Sequence, residues 1–205
     1  MKRQQTHEIA EECAREAAQA GDKYEELLAE GARYGSKEDW RRAAKAYREA
    51  IALKPDTPVA YFNLGAALNN SGHYAEAAQR FLEAKERRPV GSEYWAEATA
   101  WAFNVLAREV CDEVAKPEWW NDEGLKALSA KVVRAAPDDG VANEMRAVVL
   151  SGSSGGSWEV GPRSAAQLEK AAACYDRAAA LCHAPVGKAE LAGFADSCRA
   201  AGRHR

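Results

Sequence analysis

Two prolines, Pro55 and Pro89, lie 34 residues apart, and the residues ahead of each match at the same offset. Leu27, Gly31, Tyr34, Trp40, Ala43, Tyr47 and Ala50 precede the first, and Tyr61, Gly65, Leu68, Tyr74, Ala77, Phe81 and Ala84 precede the second. A fixed period of this length marks stacked supersecondary units, none of which can bury its apolar face alone. Within each unit the apolar residues recur at helical spacing, which predicts a pair of helices. Gly31 with Ala43, and Gly65 with Ala77, are small enough to let two antiparallel helices approach closely. Tyr47 and Phe81 then fill the space between one hairpin and the next. Each proline stops a second helix, because the residue before proline is pushed out of helical geometry. Thr57-Pro58 restarts the chain with a hydroxyl N-cap and a proline at the first helical position, and Ser92 is the equivalent cap one unit later.

The pattern resembles the tetratricopeptide repeat, in which a large residue, a glycine and an aromatic or leucine sit on the first helix. Alanine, an aromatic and alanine follow on the second, and then proline. The resemblance implies an all-α fold, a right-handed superhelical stack of helical hairpins with about ten helices. Beyond Pro89 the interval changes: Pro89 to Pro137 and Pro137 to Pro185 are 48 residues each, 14 longer than the first period. The chain therefore divides into a capping helix in 1–22 (about 7–20, through Ile9, Cys13 and Ala17) and regular repeats at 24–57 and 58–91. A divergent repeat follows at 92–139, another at 140–185 with a Gly/Ser-rich loop at 151–163, and a C-terminal capping helix and tail at 186–205.

In the third unit Trp95 takes the first large position, and its helix is expected to run long, through Trp101, Phe103, Val105 and Leu106 towards Val114, until Lys116-Pro117. Leu125, Leu128, Val132 and Ala135 mark its second helix, with Leu125 or a neighbour where a small residue is the rule. In the fourth, Met145, Val148, Val149 and Leu150 give a short first helix. Ser164-Ala-Ala-Gln167 is a capping box, and Ala171, Tyr175 and Ala178 restore the regular spacing. Leu191, Phe194 and Ala195 form one side of the last helix. The segments around Trp119-Trp120 and Trp158 are also similar to a group of uncharacterised protist repeat proteins. These tryptophans are expected to be exposed, either packing the insertions locally or meeting a partner.

Few chemistries fit the rest. A formal net charge of −3 with interspersed signs gives no basic stripe for nucleic acid, and Arg87-Arg88 reads as solvated surface. No apolar run is long enough to span a bilayer, and the start has no secretory pattern. Five cysteines without a CxxC pair favour a reducing interior, so the cytoplasm is the expected location. GxSxG, P-loop, HExxH and GxGxxG motifs are absent. His73 falls in an inter-helix turn, His183 is placed to meet the last carbonyls of a helix, and Cys174 and Cys182 are too far apart to chelate one zinc. No catalytic residue, metal or cofactor is expected.

What remains is a groove. The resemblance implies that first helices line the concave side: Glu25, Leu28, Ala32 and Ser36; then Val59, Phe62, Asn63, Ala66, Asn69 and Asn70; then Glu93, Ala96, Ala100 and Asn104. Leu28, Phe62, Asn63, Ala66, Asn69, Asn70 and Asn104 form the expected partner-binding set, since an asparagine amide can both donate to and accept from a peptide backbone. Asn63 matches an asparagine of chaperone-binding members, which clamp a terminal carboxylate. Leu28, Glu93 and Glu97 stand where that clamp has cations, and two acids there would repel a carboxylate. The expected function is an adaptor or scaffold that takes a protein or peptide partner in this groove, with no nucleic acid or membrane partner. The alternatives are a co-chaperone for a chaperone tail, a structural or self-associating repeat protein, and a thiol-dependent enzyme.

Overall fold

The computed structural model describes residues 21–204, so the capping helix expected around 7–20, with Ile9, Cys13 and Ala17, lies outside the described residues. Among those residues there are nine α-helices and no strand. They are α1 (21–35), α2 (Trp40–Leu53), α3 (Pro58–Asn70), α4 (Tyr74–Glu86), α5 (Glu93–Leu106), α6 (Asp122–Ala135), α7 (Gly140–Ser151), α8 (Ala165–Leu181) and α9 (Pro185–Arg203). Each helix packs on the one after it, and α5 meets both α6 and α7.

Local chemistry explains most helix starts. Asp39, Ser92, Asn121, Asp139 and Ser164 each accept a hydrogen bond from a backbone N–H of the turn they open, and Ser164 with Gln167 closes the full capping box. Thr57 departs from expectation: it occupies the N-cap of α3, yet its hydroxyl makes no capping bond, and Pro58 alone presets the first turn. The repeat also appears in the turns. Gly72, between α3 and α4, is left-handed at φ 82°, and its counterpart one period earlier is Glu38 at φ 58°. A side chain in that region costs about 1–2 kcal/mol, so the first turn carries a strain that glycine removes from the second.

The two regular hairpins are set by a ring over a glycine. A Cβ on Gly31 would lie 2.4 Å from the Tyr47 ring, and one on Gly65 would lie 3.0 Å from the Phe81 ring. Tyr47 is 6% exposed and Phe81 fully buried. Phe81 meets Phe62 edge-on at 5.3 Å and stacks at 5.8 Å on Trp101 of α5, so one ring joins two hairpins. Arg87, expected to be solvated surface, instead reaches the preceding unit, its Nε donating to the Pro55 carbonyl at 3.0 Å, while its guanidinium covers the Tyr61 ring of its own unit at 4.0 Å.

The third hairpin replaces this device. Thr99 stands where the glycine would be, Leu125 where the small alanine would be, and Ser129 at the place of the aromatic ring; all three are fully buried. Arg146 reaches across from α7 and donates to Ser129 Oγ (3.0 Å) and the Lys126 carbonyl (2.7 Å). A guanidinium from the following unit thus does the joining that a phenyl ring does earlier.

The long first helix expected in this unit is not formed. α5 ends at Leu106, and a single 3-10 turn at Glu109–Cys111 folds the chain back. Lys116 Nζ accounts for the stop, donating to the carbonyls of Leu106 and Cys111 at 2.7 Å each. Cys111 is buried by the same reversal.

The two insertions pack on each other. Trp120 and Trp158, expected to be exposed, are 9% and 6% exposed. Both rings lie against Phe103, at 5.4 and 5.8 Å, and against one another at 5.9 Å. Trp120 Nε1 donates to the Ser157 carbonyl (2.8 Å), and Ser157 Oγ donates to the Ala107 carbonyl (3.0 Å). Arg163, 5% exposed, pairs with Asp122 at the start of α6 and also donates to the Val149 carbonyl at 3.0 Å. The glycine-rich loop is irregular, as glycine and serine dictate, but it is fastened at both ends.

Two outcomes test this packing. Phe81→Ala should cost about 3–5 kcal/mol in a denaturant melt, with Tyr47→Ala comparable, because each removes a buried ring; a loss below about 1 kcal/mol would contradict the ring-over-glycine register. The Arg163 guanidinium, with help from Lys126, holds the Asp122 carboxyl well below the usual carboxylate range despite its burial. A depressed carboxylate stabilises the fold fully above its unfolded value of about 4 and loses that contribution as pH falls below it. Asp122→Asn should therefore lower stability at neutral pH by about 3–5 kcal/mol. It should also flatten the decline in stability below about pH 4 relative to the parent.

Candidate functional site

The inner helices α1, α3 and α5 place the expected groove residues unevenly. On α3, Phe62, Asn63, Ala66 and Asn69 are half-buried and Asn70 is exposed. Phe62 and Ala66 rest partly on the core, and Val59 at the start of the helix is 38% exposed. Asn69 Oδ1 is buried and has no hydrogen-bond partner among the described residues. On α1, Leu28 is half-buried against two core clusters, while Glu25, Ala32 and Ser36 are exposed.

On α5 the groove is closed. Ala96 and Ala100 are fully buried, in the core that also holds Ala142, Met145 and Val149 of α7. The same inward row continues to Phe103, which lies beneath Trp120 and Trp158. Only Glu93, Glu97 and Asn104 of this helix keep surface there. The two alanines expected to line the groove are therefore core residues, because the folded insertions and α7 close over α5.

The site has an acidic side. Burial, with nearby Asp139 and Glu93, pushes the Glu97 carboxyl above its ordinary value, against the pull of Arg88. Burial likewise raises Glu144 on α7, against the pull of Arg108. Both arginines are engaged with aromatic rings: Arg88 covers Tyr94 and Arg108 covers Tyr74, each at 4.5 Å. Sequence reasoning missed Glu144, since α7 belongs to a repeat whose register is legible only once Ala147 is seen packed with Tyr175.

Burial pushes Cys111, Cys174 and Cys198 upward in pKa, opposite to the thiolate a nucleophile needs. His73 Nδ1 meets Ser71 Oγ at 3.0 Å within its turn. His183 is exposed, and the end of α8 is closed by the Cys182 N–H on the Ala178 and Ala179 carbonyls rather than by the imidazole. No helix among the described residues is long and apolar enough to cross a membrane.

Comparison with known proteins agrees with this geometry. The family model of the tetratricopeptide repeat matches residues 31–72. Over 51 residues the chain is 47% identical to protein O-mannosyl-transferase Tmtc2 of Drosophila melanogaster, a stretch covering 25% of this chain and 5% of that protein. The match thus concerns a small part of the transferase's length. A crystal structure of MamA superposes with TM-score 0.57 at 14% identity, covering 90% of this chain and 88% of that one. A MamA double mutant gives TM-score 0.58 at 19% identity, covering 89% and 90%. YrrB, described as a tetratricopeptide-repeat protein with an unusual peptide-binding site, gives 0.50 at 14% identity over 85% of each chain. Residues 31–72 thus match the tetratricopeptide repeat, and the chain has the fold of tetratricopeptide-repeat α-solenoids.

Proposed function

We propose that the protein is an adaptor or scaffold that holds a segment of another protein on the inner face of α1 and α3, with the exposed margin of α5. The observation that carries this reading is the surface of α3, where Phe62 and Ala66 offer half-buried apolar contact beside Asn63, Asn69 and Asn70. Apolar contact with interleaved amides is what an extended peptide or a helix needs, since the amides can satisfy backbone groups that binding removes from water. The site stands on helices fixed by buried rings, so little ordering cost falls on the protein when a partner binds.

The acids at Glu93 and Glu97 argue against a carboxylate-terminated tail as the partner, because a carboxylate entering beside them would be repelled. The raised thiols argue against thiol chemistry as the purpose of the fold.

Asn63→Ala with Asn70→Ala should weaken capture of the partner from a cell lysate by about tenfold or more, since each loses about 0.5–1.5 kcal/mol of hydrogen bonding. The thermal melt should be little changed, as neither side chain is part of the buried core. Undiminished capture by the double variant would show that the partner binds elsewhere.

A further inference from the structure

The charges of the inner face are arranged differently from those of the outer helices. On α2 and α4, three acids sit beside cations: Glu49 by Lys45 at 3.8 Å, Glu76 by Arg48 at 3.0 Å and Glu83 by Arg80 at 2.7 Å. The same holds for Arg199 with Asp196 on α9, at 3.0 Å. Carrying the repeat register through α1, α3, α5 and α7, the inward positions include Glu25, Glu93, Glu97 and Glu144 and not one lysine or arginine. None of these four forms an ion pair with a described residue. The nearest cations, Arg88 and Arg108, are drawn onto tyrosine rings.

Leaving the half-buried carboxylates of Glu97 and Glu144 without a paired cation is costly unless a counter-charge arrives from outside. The row is not acidic alone. The same inward register also holds the apolar Val59 and Phe62, and Asn69, whose buried Oδ1 has no acceptor role filled among the described residues. A carbonyl oxygen in that position calls for a donor, and lysine and arginine side chains are donors only.

Resting on the proposed groove, we infer that its partner is a cationic protein segment. Its lysines or arginines meet Glu93, Glu97 and Glu144, and its apolar side chains lie on Phe62 and Val59. Such a match speeds encounter and selects among partners, and it weakens with added salt.

The test uses the full chain and three labelled amphipathic peptides that share one apolar face and carry lysine, glutamine or glutamate on the polar face. Fluorescence anisotropy should show the lysine peptide binding roughly tenfold tighter than the glutamine one at low salt, and the glutamate peptide not at all. The combined variant Glu93→Gln, Glu97→Gln, Glu144→Gln should bring the lysine peptide down to the affinity of the glutamine peptide, while Glu49→Gln on α2 leaves it unchanged. Equal binding of the lysine and glutamine peptides, or a lysine peptide indifferent to the triple variant, overturns the charge inference. If Asn63→Ala with Asn70→Ala still weakens the glutamine peptide in that case, the groove stands and only the cationic partner falls. If the asparagine variant also has no effect, both fall. A melt of the triple variant matching the parent establishes that the fold is intact.

Discussion

The seat of an aromatic ring on a glycine governs the regular half of this molecule. Tyr47 over Gly31 and Phe81 over Gly65 fix how closely each pair of helices lies, and nothing larger than hydrogen fits beneath the first ring without displacement. Because Phe81 also meets Phe62 and Trp101, the contact that spaces one hairpin also sets the next upon it. The inner face inherits its order from this stack. Asn63 and Asn70 are held on a helix whose opposite side, at Leu64 and Gly65, cannot shift without unseating a ring.

The second half keeps the architecture with other means. Where the ring-and-glycine device lapses, at Thr99, Leu125 and Ser129, Arg146 bridges the units through hydrogen bonds. The two insertions, far apart in sequence, become a single packed layer around Phe103, Trp120 and Trp158, and the ion pair of Arg163 with Asp122 pins the loop to α6. The loop is therefore tied into the core through Trp158 and Arg163. Its packing covers Phe103, α7 covers Ala96 and Ala100, and only the margin of α5 stays open there.

The legible parts of this fold were those set by local rules. The period of 34, the prolines that end helices, and the caps at Ser92 and Ser164 act within a few residues, so the chain order carries them directly. What stayed hidden depends on contacts between distant segments. Lys116 stopping α5, Arg87 reaching Pro55, and Trp158 meeting Trp120 have no local signature, and a tryptophan in a glycine-rich loop reads as exposed until its partner is known. In the groove, the regular register placed Phe62, Asn63, Ala66 and Asn69 on a half-buried face. It erred for Ala96 and Ala100 because α7 of the following unit packs on α5 and buries them.

The central claim is that the inner face, and not the outer helices, is where this protein meets its partner. A photoreactive side chain placed at Asn70 on the inner helix α3 or at Gln79 on the outer helix α4, both exposed positions, separates the two most directly. The account predicts a saturable protein adduct from position 70, competed by unlabelled chain, and none of that mass from position 79. The same adduct forming from position 79 and not from position 70 would contradict it.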